Sequence, residues 1–184
     1  MTVILDNGET LTFLPSDAAT AARVVRIDGN ANLRGYGHPL PALTSIGGSA
    51  YLDGYGHPLL ALTTIGWDAD LRGYRHALPT LTSIRAWADL RGYPHPLPAL
   101  TMIGEGADLR DYKHIPSWIG YVGDDARGYC FWADLKRSRV RGGCHNFTPG
   151  EALAHWGRGG ESDRPDCLAL AQRVIIALIE GGSK

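Results

Sequence analysis

Cysteine and histidine are the side chains in this chain best suited to chemistry, and their spacing decides which of them can act together. The three cysteines, Cys130, Cys144 and Cys167, all lie in the last third of 184 residues. Cys144 stands beside His145 and shortly before Glu151 and His155. A nucleophilic thiol needs a base within hydrogen-bond reach and a third group to hold that base. No recognisable nucleophile motif surrounds Cys144, and cysteine in an apolar setting serves as a small hydrophobe. A Cys144/His155 enzyme is therefore the alternative reading and not the main one. Cys144, His145, His155 and Cys167 match no zinc spacing, so neither a metal nor a cofactor is expected.

The remaining histidines, His38, His57, His76, His95 and His114, recur every 19 residues. Imidazoles stacked roughly 4.8 Å apart would repel if several were protonated, so a neutral, turn-bonding role is expected for them. Tyrosines follow the same period at Tyr36, Tyr55, Tyr74, Tyr93 and Tyr112. They either pack along the stack or form an exposed aromatic stripe suited to a protein partner. Asp70, Asp89 and Asp108 run beside Arg72, Arg91 and Arg110, two rails of opposite charge that can pair diagonally. The column Thr44, Thr63, Thr82, Thr101 raises ice binding as a further alternative, beside a structural solenoid that stacks end to end. Its neighbour, Ser45, Thr64, Ser83, Met102, is less regular. Lys136, Arg137, Arg139 and Arg141 form one basic run without a supporting patch, so nucleic acid is not the expected partner.

The elements that must position these columns follow from the repeat. Rows open at Ala31, Ala50, Ala69, Ala88 and Ala107 on an Ala-x-Leu-x-Gly-Tyr theme that ends Arg110-Asp111-Tyr112 in the fifth. Each continues through His and a proline-rich bend into Leu-Thr-x-Ile, and the fifth decays from Ile115. A unit of 19 residues cannot bury its own core, so neighbours must stack. Ala31 and Leu33 alternate with Asn32 and Arg34 as in a half-buried strand, and Leu43–Ile46 supplies a second. Gly47-Gly48 and His38-Pro39-Leu40-Pro41 form the corners. The inward columns then begin at Leu33, Leu40, Leu43 and Ile46 and repeat at the same period.

Leu-Thr-Ser-Ile-Gly-Gly followed by Ala-x-Leu-x-Gly-Tyr resembles the short leucine-rich-repeat type akin to receptor L-domain repeats, seen in bacterial and phage proteins. The resemblance covers roughly residues 24–125. The usual ladder asparagine and helical segment are absent, which favours a tight β-helix over a horseshoe. Gly143-Cys144-His145-Asn146-Phe147-Thr148 with Glu151-Ala152 and His155-Trp156 resembles a C-terminal module of bacterial and phage repeat proteins. By this resemblance the chain is expected to be phage- or prophage-encoded.

The fold class expected is mainly β: a short right-handed β-solenoid of about five coils spanning 31–125. An N-terminal hairpin cap, residues 1–30, turns at Asp6-Asn7-Gly8-Glu9. Ser16-Asp17 is placed to cap a short helix, and Val24–Asn30 matches the Leu-Thr-x-Ile half of a row. A small α+β module occupies 126–184. There Tyr129–Ala133 and Ser138–Arg141 are expected to pair, and Thr148-Pro149-Gly150-Glu151 to open a short helix. A second helix runs from Asp163-Arg164-Pro165-Asp166 to Ile179, ending on Gly181-Gly182. Its apolar stripe is expected to cover the last coil or to form a homo-oligomer contact.

A net charge of −1 gives no general pull toward nucleic acid or an anionic membrane. Without a leader-like start, and with three cysteines, the chain is expected in the cytoplasm as a non-enzymatic binder of a host protein. The specific expectation is an inhibitor of host defence, in the manner of an anti-CRISPR, acting by occupancy. If function sits on the stack it must lie where rows differ: Tyr51, Asp53, Trp67, Arg75, Arg85, Trp87 and Glu105. Arg72 and Arg91 of the rails, with Lys136, Arg137 and Arg139, complete the candidate binding residues.

Overall fold

The computed structural model describes residues 1–181, and the chain divides into two compact units. One comprises Met1–Gly104 with Arg110–His114; the other comprises Glu105–Leu109 with the residues from Ile115 onward.

In the first unit the repeat becomes two ladders of parallel strands. Strands β1 (Thr2–Leu5) and β2 (Thr10–Leu11) form a hairpin, and α1 (Ala18–Ala21) follows, capped by the Asp17 carboxylate. Then come β3 (Val24–Asp28), β4 (Ala31–Asn32), β5 (Ser45–Ile46), β6 (Ala50–Tyr51), β7 (Thr64–Ile65) and β8 (Ala69–Asp70). The series ends with β9 (Ser83–Ala86), β10 (Ala88–Asp89) and β11 (Met102–Glu105). One sheet runs β11-β9-β7-β5-β3-β1-β2 and the other β10-β8-β6-β4. Register is set by the repeat itself: Ile27 pairs with Ile46, Ile46 with Ile65 and Ile65 with Ile84. In the second sheet Ala31, Ala50, Ala69 and Ala88 are aligned in the same way. The stack is therefore a β-solenoid of about four coils, with β11 continuing one face. The hairpin extends that face at its N-terminal edge, where β1 lies antiparallel to β3.

The interior holds the expected aliphatic columns. Leu33, Leu52, Leu71 and Leu90 are fully buried, as are Leu43, Leu62 and Leu81. Each such side chain contributes up to about 1.5–3 kcal/mol. The corner glycines Gly35, Gly54, Gly73 and Gly92 sit at φ between 66° and 71°, and Asp111 adopts 59° at the same place in the fifth row. A short polar side chain tolerates that left-handed geometry better than most.

Three columns that looked chemically active tie one coil to the next. Tyr55, Tyr74, Tyr93 and Tyr112 are buried, stacked with centroids 6.3–6.5 Å apart. Each hydroxyl donates to the carbonyl of the histidine one coil earlier, Tyr74 to His57 at 3.1 Å for example. Each histidine Nε2 meets a carbonyl of the preceding coil, as His57 meets Gly37 at 3.1 Å. The threonine hydroxyls do likewise, Thr63 donating to the Thr44 carbonyl at 2.9 Å. The tyrosine column is thus packing and not a stripe, and the threonine hydroxyls are satisfied within the stack.

The second unit is a four-stranded antiparallel sheet, β12 (Ile119–Asp124), β13 (Cys130–Asp134), β14 (Arg139–Gly142) and β15 (His145–Phe147), in that order. The β13–β14 pair was legible in sequence. The two outer strands were not, because glycines interrupt the alternation of Ile119–Asp124 and because β15 has only three residues. Helix α2 (Pro149–Trp156) begins on a capping box between Thr148 and Glu151. Helix α3 (Pro165–Gly181) places Cys167, Leu170, Ala171 and Val174 in a core with Phe131, Ala133, Val140, Ala152 and Trp156. Its apolar stripe is thus used within this unit's own core, while Ile176 and Ile179 face outward. Of the expected helix end, Gly182 lies outside the described residues. Among the described residues no helix is long and apolar enough to cross a membrane.

Candidate recognition surface

The repeat loses its regularity at one corner of the solenoid, just after β5, β7 and β9. There the three coils read Gly47-Gly48-Ser49, Gly66-Trp67-Asp68 and Arg85-Ala86-Trp87. Gly48 has no room for a side chain, since a Cβ would collide with the Gly29 carbonyl. One coil later Trp67 is turned outward and left 60% exposed, its backbone N–H donating to the Gly48 carbonyl at 3.1 Å. In the next coil β9 is lengthened to four residues, and the chain turns at Trp87 with φ 43°. A left-handed tryptophan costs of order 1–3 kcal/mol. Trp87 is 42% exposed, so its partly buried indole offsets some of that cost. The corresponding residue of the following row is Gly106, at φ 69°.

Beside this corner runs a shallow groove of ≈ 350 Å³ along the stack. One wall is the outward column Arg26, Ser45, Thr64, Ser83, Met102, and the floor is Gly47 and Gly66. A Cβ on Gly66 would run into the Gly47 carbonyl oxygen, so at Gly66 the floor is bare by necessity. Arg85 stands at the far rim. Arg26 is paired with Asp28 at 2.6 Å, whereas the Arg85 guanidinium has no hydrogen bond or ion pair among the described residues.

Other candidates in this unit are placed differently. Arg72 bridges Asp70 and Asp89, each at 3.0 Å, and Arg91 pairs with Asp89 at 2.7 Å. Arg34 reaches Asp70 at 2.7 Å. Burial alone would raise the Asp70 carboxyl, but the bonds and charge of Arg72, aided by Arg34, hold it below the usual carboxylate value. The rails are a structural lattice, half-exposed arginines pairing with the more buried aspartates Asp70 and Asp89. Tyr51 lies under the Arg34 guanidinium at 5.0 Å. Asp53 takes the place of a rail arginine and is exposed; with Arg75, Tyr55 and His76 it lines a second, open hollow.

In the second unit Glu105 is half-buried. The basic run is engaged locally. The Lys136 ammonium lies over the Trp118 ring at 5.2 Å, Arg137 pairs with buried Asp134 at 3.3 Å, and Arg139 reaches Asn146 at 3.3 Å and Glu151 at 3.8 Å. Cys144 is exposed, and no hydrogen bond joins it to His155 among the described residues. The His155 Nδ1 instead meets Glu161 at 2.9 Å, and the ring packs with His145, Phe147 and Trp156. Burial, and then the His155 charge, lower the His145 pKa. Cys130 is buried, which pushes its thiol far up. Among the described residues one group has metal-ligand types close together, Asp125, Asp166 and Cys167. Arg164 already supplies the countercharge there, 3.1 Å from Asp125 and 2.6 Å from Asp166. Burial pushes the Cys167 thiol up to about 11, so it stays protonated near neutrality.

Trp67, Arg85 and Trp87 stand out in the sequence because they break the rows. Arg26 does not stand out there, although it is in register with Ser45 and continues the hydroxyl column. No family model, no curated protein and no solved structure matches the chain.

Proposed function

We propose that this chain is a non-catalytic protein-binding module that acts by occupying a partner's surface, with Trp67, Arg85 and Trp87 as its anchors. The observation that carries the reading is the broken corner. Elsewhere in the coils Tyr55, Tyr74, Tyr93 and Tyr112 stack inside, Tyr51 is covered by Arg34, and most arginines are paired. Here Trp67 and Trp87 stand exposed in successive coils, Trp87 on a left-handed backbone two residues after the unpaired Arg85. Tryptophan and arginine are the residue types that dominate binding energy at protein interfaces. Blockade of a host protein, the role implied by the resemblance to phage and prophage repeat proteins, is the use of such a face that we favour.

The test is affinity capture from bacterial lysate with the immobilised full chain, repeated with a Trp67→Ala/Trp87→Ala double variant. A protein partner bound saturably by the parent and lost by the variant is expected. Recovery of no partner, or undiminished recovery by the variant, would refute the proposal.

A further inference from the structure

We infer that the groove beside Trp67 receives an extended, acidic segment of the protein partner, with two carboxylates spaced four residues apart. This rests on the protein-binding reading above and specifies what the partner brings to it.

The groove is built, not incidental. Its floor cannot hold a side chain at Gly66, and its wall is a single column in register, with Arg26 against Ser45, Ser45 against Thr64 and Thr64 against Ser83. The hydroxyls of Ser45, Thr64 and Ser83 have no hydrogen bond among the described residues, unlike the threonine column beside them. They are thus free to donate or accept along the groove. At one end stands Arg26 and at the other Arg85, three coils on. Three steps of roughly 4.8 Å separate these rows by about 14 Å.

An extended peptide rises about 3.4 Å per residue, so four residues cover the same span. Residues i and i+4 of a strand also point to the same side. Carboxylates at those positions would reach Arg26 and Arg85 together, and residue i+2 would face the hydroxyls. Arg85, with no competing acid, offers its whole fork for a bidentate pair, the strongest contact available to a carboxylate. Ile46, Ile65 and Met102 line the groove and the exposed Trp67 follows Gly66 in the chain, so apolar neighbours of the acids have surface to cover.

Charge spacing argues against a nucleic acid. A phosphate backbone carries a charge at every residue and is held by many cations. This groove offers two, one of them shared with Asp28, in a chain of net charge −1. Separated carboxylates fit it better.

The probe is the peptide Ser-Glu-Val-Thr-Val-Glu-Ser, blocked at both ends and titrated into the full chain with tryptophan emission as readout. Controls are the same peptide with both Glu replaced by Gln, and an oligogalacturonate as a carboxylated carbohydrate. Trp67→Phe identifies the reporting ring, and Arg85→Gln and Arg85→Lys probe the fork. We expect saturable binding of the Glu peptide alone, weakened about tenfold or more by Arg85→Gln, as loss of a charged hydrogen bond implies. Arg85→Lys should recover only part of that, and added salt should weaken binding. Equal binding of the Glu and Gln peptides would overturn the inference. So would indifference to Arg85→Gln, or saturation by oligogalacturonate with the peptide silent. If the peptide fails while capture still depends on Trp67 and Trp87, the acidic-segment inference falls and the protein-binding reading stands. If capture also fails, both fall.

Discussion

Gly47 and Gly66 occupy the same column in neighbouring coils, yet replacing each with alanine should have opposite consequences. Neither lies at positive φ, so the difference is purely one of space. At Gly47 an added Cβ would rest 3.5 Å from the Gly29 nitrogen and 3.6 Å from the Asp28 Cα, ordinary contacts. Alanine there reduces the freedom of the unfolded chain and should stabilise by about 0.4–1 kcal/mol. At Gly66 the Cβ would overlap the Gly47 carbonyl, which is backbone and cannot swing aside. Relief requires the coils to part, straining the bonds from Gly66 N to Ile46 O at 2.8 Å and from Trp67 N to Gly48 O at 3.1 Å. Losing both would remove about 1–3 kcal/mol, and the steric overlap costs roughly as much again at its lower end. Gly66→Ala should therefore lose about 3 kcal/mol, which lowers the melting temperature by about 6–12 °C for a chain of this size. Scanning calorimetry of the parent and both variants reads this directly. Equal melting temperatures for the two variants would refute the coil-on-coil register.

Three more outcomes are expected. Burial raises the pKa of Tyr55, Tyr74 and Tyr93 and pushes Tyr112 up to about 12, from an ordinary value of 10.0. The folded state holds protons that the unfolded state releases, so stability is intact below pH 10.0 and falls as pH rises above it. Ultraviolet titration should show these tyrosines ionising only with unfolding; free titration of all eight near pH 10.0 without unfolding would contradict their burial. The depressed His145 has the opposite sense. The unfolded chain binds its proton first, so stability declines as pH falls below 6.5 toward the lowered value, and His145→Gln should flatten that slope in urea titrations. Trp87→Gly and Trp87→Ala both give up the partly buried indole and should weaken partner binding, but glycine is at ease at φ 43° and should be about 1 kcal/mol the more stable of the two. Equal stability of the glycine and alanine variants would show that the backbone at Trp87 is not strained.

The solenoid was readable in the sequence because its period is strict and each row repeats the same inward leucines and isoleucine. Register followed, since Ile46 above Ile27 is simply one period apart. The second unit was half legible. Thr148-Pro149-Gly150-Glu151 carries its helix start in local chemistry, whereas β12 and β15 exist through pairing with β13 and β14. Such pairing depends on distant strands that short, glycine-interrupted segments do not announce. The roles of the columns needed coordinates. Tyr74 and Arg72 recur as regularly as Leu71, and only geometry shows that a hydroxyl reaches the His57 carbonyl or that a guanidinium bridges Asp70 and Asp89. Breaks in the pattern marked Trp67 and Trp87, but the unpaired state of Arg85 and the bare floor at Gly66 are facts of three dimensions.

The central claim, that the broken corner is the binding face, is tested most directly by placing a photo-reactive residue at Trp67 and, in a separate protein, at Asn32. Asn32 is exposed on the other sheet, in β4. Irradiation of each in bacterial lysate, followed by mass spectrometry, should give one dominant cross-linked protein from position 67 and none from position 32. The same cross-link from both positions, or from position 32 alone, would contradict the account.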